Sequence, residues 1–166
     1  FWGHNVEKWR TISRRRTHLN AKHLIEEGND PLRLVCERAH AKGMLLYPSL
    51  IVQRPGEVPG QTTMWERSSA FRFNNTHLEI GANGDLDPSF LYPDNLDFKH
   101  KEARDERFAV IEEVLNSYPV DGFELQLQHR PLYFRPDETE EGRSIMTDWI
   151  RQVRDAVKRS GPDREL

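Results

Sequence analysis

With 166 residues, a formal charge of −3 and a pI near 6.2, the chain carries no global positive field, which argues against nucleic acid or an anionic membrane surface as its partner. Hydrophobic residues make up 36% and charged residues 31%, lean for a self-sufficient core yet outside the profile of a disordered chain. No run approaches the roughly 20 apolar residues of a membrane span, no signal peptide is visible, and the single Cys36 leaves no internal disulfide to form.

Residues 1 to 29 are polar and aromatic with weak periodicity and read as loop with one helical turn; the Arg14-Arg15-Arg16 run within them reads as a solvated face. Asp30-Pro31 is a helix start, with Asp as N-cap and Pro at the first helical position, where its missing N–H costs nothing. Leu32, Val35, Cys36 and Ala39 form the buried stripe of that helix, which makes Cys36 a buried structural thiol, and Lys42-Gly43 ends it. The apolar run "MLLYPSLIV" follows, of the kind found in strands covered on both faces. Pro48 cannot donate to a ladder, so the regular strand is expected to end near Tyr47.

Residues 53 to 98 are rich in Pro, Gly and Asn, with Trp65, Phe71, Phe73, Phe90 and Tyr92 scattered among them, and read as a long ordered loop after a strand. Residues 100 to 118 carry Ala103, Phe108, Ile111, Val114, Leu115 and Tyr118 at helical spacing. Pro119 stops that helix, Val120 to Gln128 reads as the next strand, and a third helix follows from about Glu141 with Ile145, Trp149, Val153 and Val157 inward. Alternation of this order predicts an α/β fold whose strands, near 44 to 51 and 120 to 128, run parallel. The chain opens on Phe1 and stops at a polar Asp163–Leu166 just after a helix, so it is expected to be an internal piece of a larger domain.

The strand "DGFELQLQHRPLYF" raises the functional question. Side chains alternate across a strand, so Phe123, Leu125 and Leu127 share one face while Glu124, Gln126 and Gln128 share the other. Burying those three without partners would cost about 1 to 3 kcal/mol each, so a cavity or a ligand is expected opposite them. His129, Arg130 and Tyr133 fall just past the strand, where a site rim belongs, although Tyr133 and Phe134 equally suit packing against the next helix. Glu124 has a competing reading as a structural carboxylate paired with an arginine. No His or Cys pair has zinc-ligand spacing, His18 and His23 do not share a helical face, and no phosphate loop or nucleophilic triad is present, so neither metal nor cofactor is expected.

The blocks "DPLRLVCERAHAKGMLLYPSL", "LDFKHKEARDERFAVIEEVL" and "VDGFELQLQHRPLYFRP", followed by "IMTDWIRQVRDAVK", resemble successive blocks of the glycosyl-hydrolase-like family 10 domains, over roughly residues 28 to 160. The resemblance implies a partial (β/α) TIM-type barrel of two to three consecutive units within residues 1–166, completed by strands from missing parts of the chain. It implies a carbohydrate as ligand, held at the carboxyl ends of the strands. A secreted or periplasmic location would follow only if preceding residues carried a signal peptide.

On this pattern Glu124 matches the family's glutamate and is the candidate catalytic carboxylate, whereas Gln126 stands where relatives carry an aspartate. A looser likeness to the strand motif of family 18 chitinases puts Gln128 at the position of the general acid. Glycoside cleavage ordinarily needs two carboxyl groups about 5 to 9.5 Å apart. A glutamine donates and accepts hydrogen bonds but exchanges no proton near neutral pH. The implied substrate-binding set is therefore Gln126, Gln128, His129, Arg130, Tyr133, Tyr47 and Gln53, in either a glycosidase or a barrel that binds sugar without cleaving it. Relatives carry a more polar run where Ile51 and Gln53 stand.

Overall fold

A computed structural model describes residue 20 and residues 23–53 and 70–166. The Arg14–Arg16 run, His18 and Trp65 lie outside the described residues. Helix α1, Pro31–His40, begins as its sequence dictates: the Asp30 carboxylate accepts from the backbone N–H groups of Leu32 and Arg33, and Pro occupies the first turn. It ends before Gly43, whose φ of 68° an L side chain resists. Strand β1 is Ser49–Ile51 and the short helix α2 is Ala70–Asn74, followed by a 3₁₀ turn, Thr76–Leu78. Helix α3, Lys101–Ser117, leads to strand β2, Glu124–Gln126; a 3₁₀ turn, Pro136–Glu138, then opens into the long helix α4, Thr139–Ser160.

The two strands pair in parallel, with Ser49 against Glu124, Leu50 against Leu125 and Ile51 against Gln126. The expected partial barrel does not form. Among the described residues there are four helices and one open two-stranded sheet. A barrel needs every strand paired along both edges, and here the outer edge of β2 meets only one further bridge, Gly122 with Glu165, where the Phe123 N–H donates to the Glu165 carbonyl at 2.8 Å. The strands are also shorter than their apolar runs, three residues each. Pro48 precedes β1 rather than terminating it: lacking a donor, it contributes its carbonyl, which accepts from the Glu124 N–H at 2.9 Å.

The core lies on the face of the sheet that carries Leu50, Val52 and Phe123. It joins them to Cys36 of α1, to Ala103, Ile111 and Leu115 of α3, and to Trp149, Val153, Ala156 and Val157 of α4. Phe98, fully buried, stands at its centre, with Tyr133 and Trp149 both edge-on to its ring at 5.2 and 5.3 Å. Such contacts add about 0.5 to 1.5 kcal/mol each beyond the area they bury. The buried stripe of α3 also contains Arg107, beside Glu106 at 2.6 Å, a charged residue that the spacing from Ala103 and Ile111 carries onto the buried face. Cys36 is fully buried, and burial raises its thiol, which suits a packing role.

Gly122 is required by close approach rather than by backbone angle. A Cβ there would lie 2.2 Å from Cε1 of Tyr47 and 2.5 Å from the Glu165 carbonyl oxygen. The adjoining Asp121 ties β2 to α1: its carboxylate accepts from the Leu46 N–H at 2.7 Å and lies 2.8 Å from Nε2 of His40.

Candidate functional site

Phe123, Leu125 and Leu127 all join the core, so alternation along β2 sends Glu124 and Gln126 to the opposite side; the strand ends at Gln126, short of the expected Gln128, which stands in the bend that follows. Glu124 and Gln128 are exposed and Gln126 is half-buried. The register puts Ser49 beside Glu124 and Ile51 beside Gln126 on this second face. Among the described residues, no hydrogen bond within the protein occupies either glutamine amide. His129, exposed, follows at the carboxyl end. These four side chains form the open part of the expected site.

The other expected ligand-binding residues are engaged in structure. Gln53 is fully buried; its amide nitrogen donates to the Leu96 carbonyl at 2.6 Å and its amide oxygen accepts from the Leu96 N–H at 3.1 Å, so one side chain acts as a strand partner for one residue of the loop. Tyr133 donates from its hydroxyl to the Leu127 carbonyl at 2.9 Å beneath Phe98, and burial pushes its phenol up. Arg130 is buried and grips Asp94 with two hydrogen bonds, at 2.6 and 2.9 Å. Tyr47 stands at the amino end of β1, away from Gln128, with its hydroxyl 3.5 Å from Glu165. Phe134 packs on the first turn of α4, where a Cβ on Gly142 would meet its ring at 2.5 Å.

The segment from 72 to 98, which begins in α2, is lashed to the segment that leaves β2. Asn95 donates from its amide to the carbonyls of Leu132 and Arg130, at 2.7 and 3.3 Å, and Phe98 N–H donates to the Tyr133 carbonyl. Arg72, almost wholly buried, donates to Glu79 at 3.2 Å and to the Asp94 carbonyl. Burial pushes the Glu79 carboxyl up, against the pull of Arg72. Two arginines and two carboxylates thus neutralise each other where α2 and the loop meet the carboxyl end of the sheet.

Tyr92, which the sequence presents only as one aromatic among several in the loop, adopts a left-handed φ of 66°. A side chain in that region costs about 1 to 2 kcal/mol over the right-handed one. Its ring carries the Arg130 guanidinium at 4.4 Å from the centroid, so the Asp94 fork fixes the arginine and the arginine fixes the ring. Tyr92 is half-exposed, beside Leu91, which is 65% exposed. The tetrapeptide Tyr92-Pro93-Asp94-Asn95 signals a turn in sequence; the grip on Arg130 is tertiary.

Chemically, the open face offers one carboxylate, two amides and an imidazole. It has hydrogen-bond donors and acceptors in quantity, but the strand paired with β2 supplies no second carboxyl group next to Glu124, since the facing residues are Ser49 and Ile51. Among the described residues, no three His, Cys, Asp or Glu side chains are placed to hold a metal ion, and no helix is long and apolar enough to cross a membrane. In comparison with known proteins, the sequence matches no family model and no curated protein.

Proposed function

We propose that this chain binds a carbohydrate on the polar face and carboxyl end of β2, with Gln126, Gln128 and His129 hydrogen-bonding sugar hydroxyls and Glu124 beside them. The observation that carries the reading is the division of β2: its apolar side chains are committed to the core, which leaves a row of uncommitted polar groups on the other face. Amides suit a polyhydroxylated ligand because each both donates and accepts. The resemblance of the strand block to glycosyl-hydrolase-like family 10 domains supports the same ligand class. Binding without cleavage is favoured over hydrolysis by the neighbours of Glu124, which are Ser49 and Gln126 where an acid–base pair needs a second carboxyl group.

The test is calorimetric titration with cellohexaose, chitohexaose, mannohexaose and xylohexaose, with release of reducing ends followed in parallel. At least one hexasaccharide binds, none is shortened, and Gln126→Ala weakens binding by about 1 to 3 kcal/mol, roughly five- to a hundred-fold, through a lost hydrogen bond. The reading is wrong if no hexasaccharide binds. The preference for binding over hydrolysis is wrong if the wild type shortens the ligand and Glu124→Gln abolishes that activity.

A further inference from the structure

We infer that Tyr92 is the platform on which a sugar ring of the ligand stacks, an assignment that rests on the carbohydrate reading above and gives the site an apolar wall. A sugar ring has polar edges and an apolar face of C–H groups, so amides along a strand satisfy only its edges, and a concave site supplies orientation by adding an aromatic surface. Phe90 and Tyr92 of the loop are both half-exposed, and it is the Tyr92 ring that meets Arg130, four residues past the carboxyl end of β2. The turn that closes on it, Asn95 N–H to the Tyr92 carbonyl at 3.0 Å, belongs to the same residue whose side chain holds the Arg130 and Leu132 carbonyls just past β2.

Two independent features point to a role for the ring beyond filling space. The backbone at Tyr92 is left-handed, a conformation glycine or asparagine adopts more readily, so the strain is borne by a residue whose distinguishing property is an aromatic face. The ring is also held in place in advance: Arg130 lies over it and is itself fixed by both oxygens of Asp94. A ring fixed before the ligand arrives loses little freedom on binding, which is the condition for a stacking contact to contribute affinity. Neighbouring Leu91, largely exposed, extends the apolar surface.

Saturation-transfer difference NMR on the intact chain with the same four hexasaccharides tests the inference. For a hexasaccharide that binds, irradiation of the aromatic region saturates ring C–H protons of the sugar. Tyr92→Phe keeps both the transfer and the affinity within about threefold, whereas Tyr92→Leu, which retains apolar bulk, loses the transfer and weakens binding at least tenfold with its near-ultraviolet circular dichroism otherwise native. If Gln126→Ala weakens binding while Tyr92→Leu binds and transfers like the wild type, the platform is refuted and the carbohydrate reading stands. If Tyr92→Leu weakens binding but leaves the transfer intact, the ring acts on structure alone and the inference is refuted. Absence of binding by the wild type to all four probes overturns the carbohydrate reading and this inference with it.

Discussion

Replacing Gln53 with methionine should destabilise the chain whether or not any ligand is present. The substitution keeps the side chain's length and approximate volume, so little cavity opens and the cost falls on hydrogen bonds. Two backbone groups of Leu96, a residue 1% exposed, lose their partner: the carbonyl that accepts from the Gln53 amide at 2.6 Å and the N–H that donates back at 3.1 Å. The Leu132 carbonyl, 3.4 Å from the same amide, keeps the Asn95 amide at 2.7 Å and is not orphaned. A buried backbone group left bare costs about 1 to 3 kcal/mol, so the pair sums to about 4 kcal/mol. With a urea m-value of about 2 kcal/mol/M, the unfolding midpoint should fall by about 2 M at unchanged m. Equilibrium urea unfolding followed by far-ultraviolet circular dichroism measures this. A midpoint within about 0.3 M of the wild type, a shift worth under 1 kcal/mol at that slope, would refute the reasoning, because the Leu96 groups would then have found water or another partner.

Gly122→Ala should cost about 1 to 3 kcal/mol, since its Cβ meets the Tyr47 ring at 2.2 Å and a backbone carbonyl at 2.5 Å; the second substitution Tyr47→Ala should recover part of the loss, and full recovery would show that the Glu165 backbone yields freely. The Tyr118 hydroxyl donates to Asp30 at 2.6 Å, which, with burial adding, pushes the phenol up to about 12 from its ordinary 10.0. Its stabilising contribution is therefore complete below about pH 10 and lost as pH rises through about 12. Burial of Asp30 raises its carboxyl, but the hydrogen bonds from Tyr118, Arg33 and Leu32 outweigh that and hold it below the usual 3.8, so its contribution is present above that value and lost as pH falls through the lowered one. Tyr118→Phe should reduce stability by about 1 kcal/mol at pH 8 and flatten the alkaline limb of a thermal-unfolding pH series; an unchanged limb would place that titration elsewhere.

The sequence by itself determined the three longer helices and the pairing sense of the strands, but not α2, which lies within the stretch read as loop. Asp30-Pro31 carries its own cap, and the stripes at 103, 111 and 115 and at 149, 153 and 157 follow the 3.6-residue period, so local chemistry and burial agree there; in α1 Cys36 and Ala39 are buried as expected, whereas Val35, expected in the same stripe, is 52% exposed. Alternation along β2 likewise set which side chains enter the core, because the period of a strand leaves no other choice once Phe123, Leu125 and Leu127 share a face. Tertiary structure alone decided where the sheet stops, since strand extent depends on a neighbour to pair with and apolar runs persist beyond the ladder. It decided that Gln53, Arg130 and Tyr133 belong to the scaffold, for their partners lie 43, 36 and 6 residues away in sequence and nothing in their spacing announces them. It also decided that Tyr92 stands braced at the carboxyl end of β2: its φ and its contact with Arg130 follow from a loop folded back on the sheet, which no local pattern encodes.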